Sequence, residues 1–426
     1  MRSATKFNWS NGLPQLNTHS KAKLKILESY LISYFKTLSK VPTLDEISVT
    51  IVDGFAGGGL YTDSDTGEEI KGSPLVCLDS VKLADYEINN NRVKKVNLND
   101  DFIFNDINKE HVDSLKKILL LKEYIPNSKI QLFQSEFVTK LDEIIAFIRK
   151  KNPRNGRSIF ILDQCGYTDV PTTSIAKIFS LLPCAEVILT FGVDSILNFA
   201  NSNGSTNKLL NKIGLKDIPY FANMRLEELK ASDKKWRQLI QSKLHKDLIS
   251  ACRAKYFTPF FIRNKTGHGS YWLIHMSQHP TARNVMTEVH WQNHNYSIHY
   301  GGAGINMFNE PYMIGYDPDM DIDYTNQSSL GYEFDDHAKQ VSIDRLIEQL
   351  PYIIYKKDSG ITFEQLFSNI CNTTPATTQI CRESLNQLLQ YKSINIISNK
   401  GTVRRSGNAI SNTDIIIPAK QKIFIY

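Results

Sequence analysis

Short apolar runs alternate with amphipathic stretches through most of this chain. Ile47–Val52, Phe102–Asn105, Lys129–Phe133, Arg157–Leu162 and Ala185–Phe191 have the length and apolar content of buried strands. His19–Lys40 reads as a helix, with Leu24, Ile26, Leu27, Tyr30, Leu31 and Tyr34 at helical spacing, and Pro42 stops it. Lys109–Tyr124, Phe137–Lys150 and Val193–Asn201 read likewise. Strands alternating with helices predict a parallel sheet covered on both faces. Asn203–Leu248 is polar, lysine-rich and helical in period, and reads as an insertion. Lys255–Ile262 and Ser270–Met276, joined by Asn264-Lys265-Thr266-Gly267, predict a β-hairpin.

The pattern then changes. Asp317–Asp336 is acidic and turn-rich, a linker by composition. Ile343–Tyr355, Thr362–Ile370 and Thr377–Lys392 have helical period, and Ile394–Ser398 and Ile415–Ile425 read as strands. Three helices and a ribbon outline a winged helix. The expected organisation is a helical segment over 1–45, an α/β domain over 46–316 with its insertion near 203–250, a linker over 317–341 and a winged-helix-like α+β domain over 342–426.

Composition narrows the class only a little. Hydrophobic residues at 41% and charged residues at 22% are ordinary for a soluble globular protein. No apolar run reaches the ~20 residues of a membrane helix. The polar stretch Met1–Ser20 lacks the apolar block of a secretory signal, so no membrane association is expected and the cytoplasm is the default location. Cys77, Cys165, Cys184, Cys252, Cys371 and Cys381 form no CxxC pair and read as reduced thiols. A net charge of +6 is compatible with nucleic acid or acidic partners without requiring either.

The sharpest chemical feature is the loop Asp53-Gly54-Phe55-Ala56-Gly57-Gly58-Gly59 after the first strand. Its glycines permit a tight turn and close backbone approach. The dinucleotide GxGxxG and phosphate-binding GxxxxGK[ST] forms are absent. The spacing fits D-x-F-x-G-x-G, the form of many S-adenosylmethionine sites, which makes Asp53, Phe55, Ala56, Gly57, Gly58 and Gly59 candidate cofactor contacts. The alternative is a purely structural strand-to-helix turn. Asp106, after the second strand, is placed either to accept from ribose hydroxyls or to cap the helix from Lys109. Gly72-Ser73-Pro74 reads as a helix start, with Ser73 as cap. The acidic loop before it misses calcium-loop spacing.

Asp163-Gln164-Cys165-Gly166-Tyr167 ends the fourth strand, where amino-methylating enzymes carry [DNS]-P-P-[YF]. Asp163 and Tyr167 are the candidate catalytic residues, to hold a target amine and stack on a base. Gln164 and Cys165 replace the prolines that stiffen that loop. Cys165, without a preceding proline or an evident base, reads as an inert thiol. His268, His275, His279, His290, His294 and His299 cluster without HExxH or a Cys/His zinc pattern. His290 and His294 have the spacing of a two-histidine metal pair, but the aromatic residues among them favour structural or stacking roles, and no metal is expected. In the C-terminal domain, Gln379 and Arg382 on the third helix and Arg404 and Arg405 at the wing are the candidate nucleic-acid contacts.

Taken in order, Val52–Gly59, Gly72-Ser73-Pro74, Phe160–Gly166, Glu186–Leu189 and Tyr271-Trp272-Leu273-Ile274, with the lysine-containing first helix, resemble the bacterial three-Cys-motif partner (TcmP) family over most of residues 8–300. The resemblance implies a Rossmann-like class I methyltransferase fold, S-adenosylmethionine as cofactor, a bacterial or mobile-element setting and a protein partner from a neighbouring gene. Members usually carry a proline where this chain has Gln164. The leading expectation is methyl transfer to nucleic acid, DNA or RNA, in a setting that includes phage defence. A catalytically degenerate binding or scaffolding component is the second reading, and a metal-dependent nuclease or nucleotide hydrolase the third.

Overall fold

A computed structural model of the chain describes residues 8–10, 12–16, 18–90, 92–124, 129–164, 169–192, 245–262, 271–294, 297–298, 302–305, 307, 334–357 and 359–419. These fall into two units that divide between Val289 and His290.

The first unit opens with α1 (Thr18–Leu38), whose Ala22, Ile26, Leu27, Tyr30, Leu31, Tyr34 and Phe35 form one buried stripe. α1 packs along α2 (Ser73–Asn90). Between them lie β1 (Glu46–Asp53) and a small hairpin, β2 (Leu60–Asp63) and β3 (Glu69–Lys71). There follow β4 (Asn97–Asp106), α3 (Lys109–Leu121), β5 (Ile130–Gln134), α4 (Phe137–Lys151), β6 (Ser158–Leu162), α5 (Thr172–Leu181) and β7 (Ala185–Gly192). Then come α6 (His245–Cys252), β8 (Tyr256–Ile262), β9 (Tyr271–Ser277) and α7 (Pro280–Gln292).

Seven of these strands make one sheet in the order β8-β9-β7-β6-β1-β4-β5. β1 pairs in parallel with both β4 and β6, and only β9 runs antiparallel to its neighbours β7 and β8. Helices cover both faces, so β6 is buried at every position and reads as a continuous apolar run. This is the Rossmann-like sheet of class I methyltransferases, with its hairpin strand inserted beside the fifth parallel strand.

Each expected strand is present. β4 begins earlier than its apolar run because Asn99, Asp100 and Asp101 extend the ladder on β1. The hairpin β2–β3 has too few apolar positions to be read from the pattern. Its acidic tip is held by Lys21, which donates to Asp63 at 2.8 Å and to Asp65 at 2.8 Å, so a cation is supplied by α1 itself. The helix expected at Val193–Asn201, the hairpin turn and most of the lysine-rich insertion lie outside the described residues.

A polar knot ties α1 to the sheet. The Tyr30 hydroxyl donates to Glu186 on β7 and lies 3.0 Å from His275 Nε2 on β9, which is 2.8 Å from Glu186 Oε2. All three side chains are buried, and burial first, then Glu186, pushes the Tyr30 phenol well above its usual range. His275 is therefore a core residue that pairs with a buried acid.

In the second unit α8 (Asp336–Ile354) starts at the cap Asp335, whose carboxylate accepts from the Ala338 N–H at 2.7 Å, before the apolar pattern begins at Ile343. A two-residue strand, β10 (Ile361–Thr362), leads into α9 (Phe363–Ile370) through a capping box between Thr362 and Gln365. α10 (Thr378–Gln390) follows, capped by Thr377. β11 (Ile394–Ile397) and β12 (Ile415–Pro418) complete an antiparallel sheet in the order β10-β12-β11. This is a winged helix. Its third strand escapes the sequence pattern because two residues carry no period.

Candidate functional site

The strand order of the first unit reverses between β1 and β6, and such a switch point, at the carboxyl ends of the strands, is where open α/β sheets bind their ligands. Asp53, the last residue of β1, lies in register with Ile161 of β6 and with Phe104 of β4. Its side chain is fully buried. Oδ1 accepts from the Phe55 N–H at 3.1 Å, and no donor stands in hydrogen-bond geometry to Oδ2, although the Ser73 hydroxyl is near enough to favour the ionised carboxyl. Burial pushes this carboxyl up to about 7, against the pull of the Ser73 hydroxyl and the Phe55 N–H.

The glycine loop is closed around protein side chains. A Cβ at Gly58 would come within 2.4 Å of the Trp9 indole, so this glycine makes room for the N-terminal segment. Trp9 Nε1–H donates to the Leu60 carbonyl at 2.7 Å, and its ring meets Tyr61 and His111 edge-on, with centroids 5.2 and 4.6 Å away. Gly57 and Gly59 are required by conformation, at φ +63° and +93°. Ala56 is buried, with its N–H on the Asn105 carbonyl at 2.9 Å, and Phe55 packs near the Phe137 ring.

Asp106 is turned towards this loop. Oδ2 accepts from the Gly57 N–H at 3.0 Å, while Oδ1 accepts from the Asn108 N–H at 2.8 Å and pairs with His111 Nδ1 at 3.1 Å. The helix cap is Asn108, which accepts from the Glu110 N–H at 2.9 Å, so Asp106 organises the loop and does not cap α3. Buried Asn105 donates to the carbonyls of Gly54 and Ser135, each at 3.1 Å, and stitches two strand-end loops together.

At the end of β6, Asp163 is clamped by Lys23 of α1, whose ammonium donates to both carboxylate oxygens at 2.6 Å. Gln164 is buried. Its Oε1 accepts from the N–H groups of Asp169 and Val170 at 3.0 and 3.1 Å, and its Nε2 has no partner. This amide ties the end of β6 to the backbone at Asp169 and Val170. Cys165 and Tyr167 lie outside the described residues.

The orphaned Asp53 Oδ2 is an acceptor and the orphaned Gln164 Nε2 a donor, both buried, at the ends of neighbouring strands. A zwitterionic amino-acid moiety, such as the methionine end of S-adenosylmethionine, supplies a donor and an acceptor to match. Asp53 and Gln164 have the unpartnered polar atoms for that group, whereas both oxygens of Asp106 and the Ala56 and Gly57 N–H groups are engaged within the protein and the Trp9 ring lies against Gly58.

Residues 315–401 match the family described as the GMT-like wHTH domain. Among solved structures, the chain is similar to the bifunctional kinase-methyltransferase WbdD, at 11% identity and TM-score 0.31 over 60% of this chain and 39% of that one. It is similar to PKMT2 from Rickettsia typhi, at 11% identity and TM-score 0.28 over 59% of this chain and 53% of that one. It is also similar to the plantazolicin methyltransferase BamL, solved with SAH, at 11% identity and TM-score 0.26 over 60% of this chain and 85% of that one. The chain thus spans about two fifths of WbdD and half of PKMT2. No curated protein sequence matches it.

In the winged helix the four expected contacts divide. Arg404 donates to both oxygens of buried Asp414, at 2.8 and 3.2 Å, and anchors the wing. Arg382 lies over the Phe363 ring at 4.6 Å and donates to the Ile410 carbonyl at 3.2 Å. Gln379 and Arg405 are exposed. Gln379 bonds Glu383 of its own helix at 3.0 Å.

Of the histidines, His290 is buried near Phe334, His294 is exposed, and His279 accepts from the Thr281 N–H. His268 and His299 lie outside the described residues. Among the described residues no three His, Cys, Asp or Glu side chains form a metal cage, and no helix is long and apolar enough to cross a membrane.

Sequence reasoning missed Trp9, Lys23, Asn105 and His111. A tryptophan in a polar N-terminal stretch and an asparagine at the end of an apolar strand were the available signals.

Proposed function

We propose that this protein is an S-adenosylmethionine-dependent methyltransferase acting on nucleic acid that its winged helix helps to bind. The observation that carries the reading is the buried, unpartnered Asp53 Oδ2 at the switch point of the sheet. When bound, the cofactor supplies an electrophilic methyl group on a sulfonium. Asp53 would hold its amino group and Gln164 Nε2 its carboxylate. Asp163 accepts from the target amine, and Tyr167 is the residue assigned to stacking on the target base. Lys23 positions Asp163, and positioning provides most of the acceleration in such an in-line displacement.

Incubation of the intact protein with methyl-labelled S-adenosylmethionine and DNA or RNA tests the reading. Label in the nucleic acid is expected, and its loss in Asp163→Ala. Binding without transfer, under every nucleic-acid type, defeats it.

The resemblance to the TcmP family supports a bacterial or mobile-element setting, including phage defence, with a partner protein encoded nearby. A second reading, binding without transfer, is favoured by one observation. Both oxygens of Asp163 are taken by Lys23, which a target amine must displace. Under that reading Asp163→Ala leaves biological activity intact.

A further inference from the structure

Arg382 and Arg404 of the winged helix are engaged in internal contacts, which leaves Arg405 as the exposed one of its three candidate arginines. A different surface of the same unit carries exposed aromatic rings followed by lysines. Tyr352 and Tyr355 lie one turn apart at the end of α8, and Tyr391 caps the end of α10. Tyr352 and Tyr391 are 73% and 65% exposed. The Tyr355 hydroxyl donates to the Ser393 carbonyl at 2.8 Å, which holds the two helix ends side by side.

Lysines follow each helix end. Lys356 and Lys357 come after α8 and Lys392 after α10, all exposed and, among the described residues, in no ion pair. Their charge complements the helix C-termini and leaves the ammonium groups directed to solvent. Glu348, one turn before Tyr352, is paired with Arg345 at 3.2 Å.

We propose that this tyrosine–lysine patch binds single-stranded nucleic acid. Unpaired bases stack on exposed aromatic rings, which a duplex does not offer because its bases are already stacked. The lysines meet the phosphates between them. The inference rests on the nucleic-acid reading of this domain and adds the strand state of the ligand and the face that takes it.

The test is fluorescence anisotropy of the full-length protein with a labelled single-stranded oligonucleotide and with its duplex, over a salt series. Tyr352→Ala with Tyr391→Ala is expected to weaken single-strand binding at least tenfold and to leave duplex binding and the unfolding temperature unchanged. Replacing Lys356, Lys357 and Lys392 with Ala is expected to flatten the logarithmic salt slope by about 2. Unchanged single-strand affinity in the tyrosine variant overturns the patch and, if duplex still binds, leaves the nucleic-acid reading standing. Failure of the wild type to bind either form overturns both. If sedimentation shows a dimer that becomes monomeric in the tyrosine variant, with single-strand binding unaltered, the patch belongs to a second copy and the proposal falls.

Discussion

Lys23 of the first helix holds Asp163 at the end of the fourth parallel strand, with one ammonium 2.6 Å from each carboxylate oxygen. The pair is partly open to solvent, so its stability contribution is expected within about 1 kcal/mol. Its consequence is expected in catalysis. Lys23→Met should unfold close to the wild-type temperature while label transfer falls at least tenfold, and Lys23→Arg should recover part of the loss. Full transfer by Lys23→Met would remove Lys23 from the mechanism.

Asp53 gives a pH dependence of defined sign. Its carboxyl stays neutral in the folded protein up to about 7, whereas in the unfolded chain it ionises near the ordinary aspartate value. Between those values the folded state holds the extra proton, so stability falls as pH rises from about 4 to about 7 and is level above. Asp53→Asn should remove this fall and stabilise the free protein at pH 8 by a few kcal/mol, with no gain at pH 4. Thermal unfolding across that range checks it, and a variant with an unchanged pH profile would refute the buried-acid assignment.

Trp9 and Gly58 should behave as one unit. Gly58→Ala forces a Cβ to within 2.4 Å of the indole, and the overpacking is expected to cost about 1–3 kcal/mol. In a Trp9→Ala background the same substitution should cost less than about 0.5 kcal/mol. A double-mutant cycle from denaturant unfolding measures the difference, and strict additivity would count against the contact.

The adjacent wing arginines should separate cleanly. Arg404→Ala leaves buried Asp414 held only by the Ser411 N–H and hydroxyl and is expected to destabilise the winged helix by about 1–3 kcal/mol. Arg405→Ala should leave stability unchanged and lower the salt dependence of duplex binding by about one phosphate contact. Calorimetric unfolding and anisotropy read the two effects, and equal stability loss in both variants would contradict this division of roles.

The apolar runs announced the sheet because strands buried on both faces must be continuously hydrophobic, as Ile159 to Leu162 are. The loop at Asp53–Gly59 was legible for a similar local reason, since its backbone conformation demands glycine at 57 and 59. What lay hidden was pairing between distant positions. Nothing local to Lys23 names Asp163, and nothing at Gly58 names Trp9. Gln164 shows the limit most clearly. It is a departure from the proline pattern by sequence, yet its amide makes two hydrogen bonds that tie the strand end to Asp169 and Val170. Asp106 sat where a ribose ligand was expected, and its partners within the protein became visible only when the loop and α3 were brought together.

The most direct measurement is isothermal titration of the purified wild-type protein with S-adenosylmethionine at pH 6 and pH 8. Ionised Asp53 is the form that holds the cofactor's amino group, so saturable one-to-one binding is expected, tighter at pH 8 than at pH 6, with the difference lost in Asp53→Asn. Absence of binding at both pH values would contradict the assignment of this switch point as a cofactor site.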